Sequence, residues 1–180
     1  MKKKVLGLIL AAVSVVSIVA CGSIPKYAAT GIYVDDVKYE PYLKLDDMLS
    51  KGWTSDQGLK TNDEISFWND SVFEKDGVKL TARFVNPYDG PMTYEDAIIT
   101  TITVEAADVT DDVAFDNGLS FVSTPDEIEE TYGKPSSISD DGTNMIYTYR
   151  YKEISEANFV FLKTDSETKL SRVSFDKFDY

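Results

Sequence analysis

The side chains available for chemistry in this chain are carboxylates, lysines, tyrosines and one thiol. The 180 residues include no histidine and a single cysteine, Cys21. Serine, cysteine and zinc hydrolases rely on histidine as a base or as a metal ligand, so these mechanisms lose their usual residues. We therefore expect no enzymatic activity, no metal and no cofactor.

Carboxylate pairs are the catalytic arrangement that this composition still permits. The chain has 31 aspartates and glutamates. A hydrolase of envelope polymers needs two carboxylates facing each other at about 5–10 Å, whereas neighbours such as Asp35-Asp36 and Asp140-Asp141 point apart or lie in turns. Because no spacing selects one pair, a carboxylate-pair hydrolase is an alternative without named residues.

Cys21 directly follows a segment with the pattern of an export signal. Lysines at positions 2–4 precede an apolar run over 5–19, which is too short for a membrane span of about 20 residues. Ile18-Val19-Ala20-Cys21 resembles the lipobox of bacterial lipoproteins. The resemblance implies that residues 1–20 are removed and that Cys21 carries a diacylglycerol, which anchors the chain to the extracytoplasmic side of the cell membrane. An ordinary secretory signal is the alternative, but it leaves the lone thiol unexplained.

The chain that follows the signal is strongly acidic. Removing residues 1–20 takes away three of the 18 basic residues and none of the 31 acidic ones, so the net charge moves from −13 to −16. A surface of this sign repels nucleic acid and anionic membrane surfaces. We therefore expect no nucleic-acid partner and interpret the acidity as a solvated exterior.

Local patterns divide the rest of the chain into a flexible tether over 21–31 and two units of similar order, over 32–107 and 108–180. The first unit is predicted to contain a strand over 32–39 and a short helix at Leu45, Met48 and Leu49 that ends at Gly52. Three strands are predicted to follow, over 65–74, 78–86 and 97–105. Asp76-Gly77 suits the two-residue turn between the first two of them.

The second unit carries the clearest local signal. Thr124-Pro125-Asp126-Glu127 combines a capping box with proline at the first helical position, and Gly133 suits the end of that helix. The acidic stretch over 108–117 lacks calcium-loop spacing and is predicted to be a linker. A polar loop is predicted over 136–143, and three further strands over 144–152, 157–163 and 170–176.

The second unit also resembles a family of small modules. The segments that carry the likeness are Gly118-Leu119-Ser120-Phe121, the capped helix, Tyr132-Gly133-Lys134-Pro135, Tyr147-x-Tyr149 and Phe159-x-Phe161. They resemble the module of the β-lactamase inhibitory protein and of the small lipoprotein of the outer-membrane assembly machine, well over 117–176 and in outline over 32–105. With the similar order of the first unit, this implies an α+β fold of two helix-plus-three-stranded-antiparallel-meander repeats packed together. The family implies protein binding through the sheet face and no catalysis.

Aromatic residues supply the candidate binding surface. Met145, Tyr147, Tyr149 and Tyr151 share one face of a strand by the two-residue period, and tyrosine suits recognition surfaces. Tyr147, Tyr149, Tyr151 and Trp68 are therefore candidate binding residues, although the same alternation fits a face packed on a helix. We expect a module that binds an envelope or extracellular protein, with a small-ligand or peptide receptor as an alternative.

The lipobox predicts a specific role for Cys21. Replacing Cys21 by serine removes the thiol that accepts the lipid, so the protein is expected to move from the membrane fraction to the medium. Fractionation and immunoblotting measure this directly. Retention of Cys21→Ser in the membrane would contradict lipidation as the anchor.

Overall fold

The structure is a computed structural model that describes residues 28–88, 90–110, 113–151 and 155–178. The signal segment and Cys21 lie outside the described residues. The described strands are β1 (Ile32–Val34), β2 (Val37–Tyr39), β3 (Thr54–Ser55), β4 (Glu64–Ile65), β5 (Trp68–Lys75), β6 (Val78–Val85), β7 (Met92–Thr93), β8 (Ile98–Glu105), β9 (Val113–Phe115), β10 (Ser137–Asp140), β11 (Asn144–Tyr151), β12 (Ser155–Lys163) and β13 (Thr168–Lys177). The helices are α1 (Leu45–Ser50) and α2 (Pro125–Tyr132), with short 3-10 turns at Ala106–Asp108 and Asp116–Gly118.

An eight-stranded antiparallel sheet forms the main layer, in the order β10-β11-β12-β13-β8-β6-β5-β3. Its centre is the pairing of β8 with β13, which joins the first half of the chain to the second. A three-stranded sheet of β2, β1 and β9 and a two-stranded sheet of β4 and β7 complete the described strands. Residues far apart in sequence therefore lie side by side at the centre of the large sheet.

The hydrophobic core lies between the large sheet and a second layer made of α1, α2 and the three-stranded sheet. Phe115 of β9 packs edge to face on Phe159 of β12, with ring centroids 6.2 Å apart. Tyr132 of α2 packs on the same Phe159 at 5.5 Å. Met48 of α1 is fully buried in the same cluster. Within the part of the chain that the structure describes, only one face of the large sheet is covered in this way.

The predicted fold class is wrong. Strands make up 48% and helices 14% of the described residues, and one large sheet with two short helices replaces two helix-plus-meander repeats. The sequence patterns predicted the six long strands, β5, β6, β8, β11, β12 and β13, but not which strand edges pair. Since an unpaired strand edge leaves backbone donors and acceptors without partners, β8 and β13 satisfy each other and merge the two halves into one sheet.

Three local predictions also need correction. The single strand predicted over 32–39 is a hairpin, because Asp35 and Asp36 both adopt positive φ, 50° and 61°, which suits a two-residue turn. The predicted linker over 108–117 contains β9, which pairs with β1. The predicted loop over 136–143 contains β10, which pairs with β11 and forms one edge of the large sheet.

Two β-bulges change the alternation of side chains in the central strands. Thr100 of β8 has no partner between the pairs Arg83↔Thr101 and Phe84↔Ile99. Strict alternation predicts Ile99 and Ile102 on opposite faces, but the extra residue places both in the core. In β13, Ser171 is the extra residue between the partners of Val160 and Phe161.

The helix and turn predictions that rest on local chemistry are confirmed. The Thr124 hydroxyl accepts a hydrogen bond from the Glu127 backbone N–H at 3.3 Å, and the Glu127 carboxylate accepts one from the Thr124 N–H at 2.8 Å. Gly133 follows α2 with φ of 83°, and Gly77 closes the β5–β6 hairpin, also with φ of 83°. Trp53, which follows Gly52 after α1, is buried.

Two findings bear on the N-terminal part of the chain. Ala29 is buried and Thr30 donates its backbone N–H to Asp116 at 3.0 Å, so packing begins before the boundary near residue 32 that the sequence predicts. In the described part of the chain, no helix is long and apolar enough to cross a membrane.

The capping box of α2 predicts a measurable stability effect. Thr124→Ala removes the cap acceptor and is expected to lower the free energy of unfolding by about 1 kcal/mol. Urea unfolding followed by circular dichroism measures the change. Glu130→Ala on the exposed side of the same helix is the matched control and should stay close to wild type. Equal effects of the two substitutions would contradict a stabilising cap at Thr124.

Candidate functional site

The predicted tyrosine face lies on the core side of the sheet. Tyr147 and Tyr149 have relative exposures of only 8% and 2%, and Tyr151 is half-buried. The Tyr149 hydroxyl donates to the Gly133 carbonyl at 3.1 Å. Burial raises the pKa of the Tyr147 and Tyr149 hydroxyls. The prediction that these three rings form a binding surface therefore conflicts with their burial, which agrees instead with a face packed under α2.

Trp68, the fourth candidate, lies on the opposite face of the sheet. It begins β5, and its side chain is exposed to solvent. The Arg83 guanidinium lies over the Trp68 ring, 5.2 Å from the ring centroid, which is within the range of a cation–π interaction. The structure therefore separates Trp68 from the three tyrosines, and only Trp68 is on the face that the second layer leaves open.

This open face is polar because buried apolar residues and more exposed polar residues alternate along the strands. In β6, Val78, Leu80, Ala82 and Phe84 are buried, whereas Lys79 and Arg83 are exposed and Thr81 lies between these extremes. The same alternation runs through β11, β12 and the part of β13 after its bulge. As a result, all three arginines of the chain lie on this face: Arg83, Arg150 and Arg172.

Strand register arranges the open face into rows that run across the strands. The central row, called the floor row here, consists of short side chains from five neighbouring strands. Its members are Thr81, Thr103, Ser174, Asn158 and Thr148, each paired with the next in register. Thr148 donates its hydroxyl to the Asn158 amide oxygen at 2.8 Å. The hydroxyls of Thr81 and Thr103 have no hydrogen-bond partner among the described residues.

A charged row borders the floor row on the side of Trp68. Its members in register are Asp70, Arg83, Thr101, Asp176, Glu156 and Arg150. Arg83 makes a bidentate pair with Asp70, at 2.7 and 2.9 Å. Arg150 pairs with Glu156 at 2.8 Å at the other end of the row. Both ends therefore hold an arginine fixed by a carboxylate.

A mixed row borders the floor row on the other side. It begins with Glu105 and Arg172, whose charged groups are 3.5 Å apart, and continues in register with Val160, Ile146 and Ser139. Some side chains from each of the three rows line a cavity of about 540 Å³, and all five members of the floor row lie along its base. The long side chains of Arg83 and Arg172 stand on its two sides. The open face is therefore a shallow groove across the sheet.

In the charged row, the pKa of Asp176 is raised above its ordinary value and the pKa of Glu156 is lowered below it. Burial raises the pKa of Asp176, and the neighbouring Glu156 carboxylate raises it further, while hydrogen bonds from Thr101 and Ser174 oppose this. Burial also raises the pKa of Glu156, but hydrogen bonds from Arg150 and Asn158 outweigh it and lower the value overall. Each of the four carboxylate oxygens accepts a hydrogen bond from one of these neighbours. Both carboxylates are therefore held by hydrogen bonds from neighbouring side chains of the sheet.

The groove was not predicted from the sequence, because the candidate binding residues were chosen for their aromatic side chains. The alternation of Lys79, Thr81 and Arg83 in β6 predicts a polar face for that strand. The pairing of β8 with β13, which places Thr103 next to Ser174, has no local signal.

Neither a metal-binding cluster among the described residues nor a similar protein helps to assign a function to the groove. Within residues 28–88, 90–110, 113–151 and 155–178, no group of three or more Asp, Glu, Cys or His residues is placed to hold a metal ion. Comparison with protein-family models, with curated proteins and with solved structures finds no match to this chain.

The raised pKa of Asp176 predicts a pH-dependent stability difference. The folded state holds the Asp176 proton more tightly than the unfolded chain, so this contribution is present below the unfolded-state pKa and is lost as pH rises through the folded-state pKa. Asp176→Asn is isosteric and stays uncharged. The free energy of unfolding of the variant relative to wild type is expected to increase from pH of about 4 to neutral pH.

Urea unfolding at a series of pH values measures this difference. Asp165→Asn, which changes an exposed loop carboxylate, is the control and should show no such trend. A relative stability of Asp176→Asn that falls as pH rises would show that the ionised carboxylate is the form the fold favours.

Proposed function

We propose that this protein is a lipid-anchored extracytoplasmic binding module, and that the groove on the open face binds an extended segment of an envelope or extracellular protein. The observation that carries the proposal is the groove of about 540 Å³ whose base is a continuous row of five hydroxyl and amide side chains. The membrane attachment rests on the lipobox at Cys21.

The length of the floor row suits a chain and not a compact small molecule. Five neighbouring strands spaced about 4.8 Å apart give a row of roughly 19 Å, which matches about six residues of an extended peptide. The Thr81 and Thr103 hydroxyls are available to such a segment as donors and acceptors. A segment lying along this row would meet a hydrogen-bonding side chain at every strand it crosses.

The charged side chains beside the floor row favour a polar partner segment that carries positive or negative charge. Arg83 and Arg172 stand on opposite sides of the groove, each next to a carboxylate. A partner carboxylate can pair with the arginines, and a partner cation with Asp70 or Glu105. The exposed, single-contact Arg172–Glu105 pair is of a kind that contributes little stability, typically under about 1 kcal/mol, so exchanging its partners costs little. The acidic net charge of the chain therefore does not determine the charge of the bound segment.

The two alternatives from the sequence have less support. A small-ligand receptor would bury most of its ligand in a concave, mainly apolar pocket, whereas this groove is open and lined mainly by hydroxyl, amide and charged side chains. A carboxylate-pair hydrolase would draw on Asp176 and Glu156, which are neighbours in register. Their oxygens are already engaged by Thr101, Ser174, Arg150 and Asn158, which favours a structural role.

Site-specific photo-cross-linking tests the groove. A photoreactive amino acid at Thr103, in the middle of the floor row, is expected to yield a discrete protein adduct in the cells that make the protein. The same group at Glu130, on the exposed side of α2 in the other layer, is the matched control and should yield none. Equal adducts at both positions would contradict a binding site in the groove.

A groove-filling variant connects the adduct to binding. Ser174→Trp adds bulk next to Thr103 on the open face and is expected to abolish the adduct formed from Thr103. Circular dichroism and thermal unfolding establish that the variant is folded. An undiminished adduct from folded Ser174→Trp would show that the partner does not lie along the floor row.

A further inference from the structure

Exposed aromatic rings gather at one end of the large sheet. Among the described residues, the strongly exposed aromatic side chains are Phe67, Trp68, Tyr88 and Phe178, with relative exposures of 71%, 55%, 70% and 52%. Phe67 and Trp68 lie at the start of β5, Tyr88 follows β6, and Phe178 follows β13. In the antiparallel sheet these three strand ends lie at the same end. These four residues define the aromatic end.

A buried asparagine fixes the two loops that carry two of these rings, Phe67 and Tyr88. The Asn86 side-chain amide donates to the Gly90 carbonyl at 2.6 Å, and its oxygen accepts from the Tyr88 N–H at 2.9 Å. The Asn86 backbone N–H donates to the Phe67 carbonyl at 2.8 Å. The rings of Phe67 and Tyr88 are therefore presented to solvent by an internally bonded frame. Contiguous patches of exposed apolar side chains mark interaction surfaces, and these rings share one end of the sheet.

The chain enters the fold at this same end. Ala29 and Thr30 line a small cavity together with Ser155, at the start of β12, and Lys177, at the end of β13. Seven residues, 21–27, separate Ala28 from the end of the signal segment. Fully extended, seven residues span at most about 25 Å. A lipid on Cys21 would therefore keep this end of the sheet close to the bilayer.

We propose that the aromatic end rests in the interfacial region of the bilayer that holds the lipid anchor. This inference rests on the proposed lipidation of Cys21. Aromatic rings, and tryptophan and tyrosine above all, favour the membrane–water interface, where an apolar ring and a polar group are both accommodated. The acidic charge of the chain opposes contact with anionic lipids, so the contact is made by the rings with zwitterionic headgroups.

Tryptophan fluorescence tests the contact, because the two tryptophans differ in environment. Trp68 belongs to the aromatic end, whereas Trp53 is buried in the core. The lipidated full-length protein is reconstituted in phosphatidylcholine vesicles, with and without lipids brominated near the headgroup. Brominated lipid is expected to remove the Trp68 emission. In Trp68→Phe, the remaining Trp53 emission is expected to be insensitive to bromine.

Flotation of the same samples separates the anchor from the contact. A protein that floats with the vesicles but whose Trp68 emission is unaffected by bromine would overturn the inference and leave lipidation standing. A protein that does not float would refute the anchor, and the inference with it.

Discussion

The pairing of β8 with β13 is the interaction on which the rest of the structure depends. Five register pairs, from Arg172↔Glu105 to Asp176↔Thr101, join strands that are about 70 residues apart in sequence. The floor row crosses this seam between Thr103 and Ser174. Without the pairing there would be two small sheets with exposed edges, which invite association with other chains. The same backbone hydrogen bonds that close the sheet therefore create the groove.

The parts of the fold that could be predicted are those encoded by neighbouring residues. Thr124 with Glu127, and Asp76 with Gly77, carry their geometry in their own side-chain and backbone chemistry, and both agree with the structure. Asp35-Asp36 looked like part of a strand because aspartate tolerates positive φ without requiring it. The sheet order could not be predicted, because strand edges carry no sequence signal of their partner.

The candidate site shows the same limit more sharply. Alternation correctly places Tyr147, Tyr149 and Tyr151 together on one side of β11, but it does not say which side the second layer covers. The covered side is the aromatic one, since α2 and β9 bring Tyr132 and Phe115 onto it. The groove side has threonine, serine and asparagine, which are common on any solvated strand. The composition also did not predict the groove, because the net charge of the chain is negative while all three of its arginines lie on the groove face.

The two bulges make the groove depend on chain length as well as on residue type. The Ser171 hydroxyl donates a hydrogen bond to the Val160 carbonyl at 2.9 Å. Beyond Ser171, the side chains of Arg172, Ser174 and Asp176 lie on the groove face, and those of Val173 and Phe175 are buried in the core. Thr100 has the same effect in β8. Deleting either residue would exchange the two faces of its strand over the segment beyond the bulge, moving charges inward and aromatic or aliphatic side chains outward. A one-residue deletion is therefore a far more damaging event at these two positions than most substitutions within the groove, and related sequences are expected to keep the strand lengths even where the groove residues diverge.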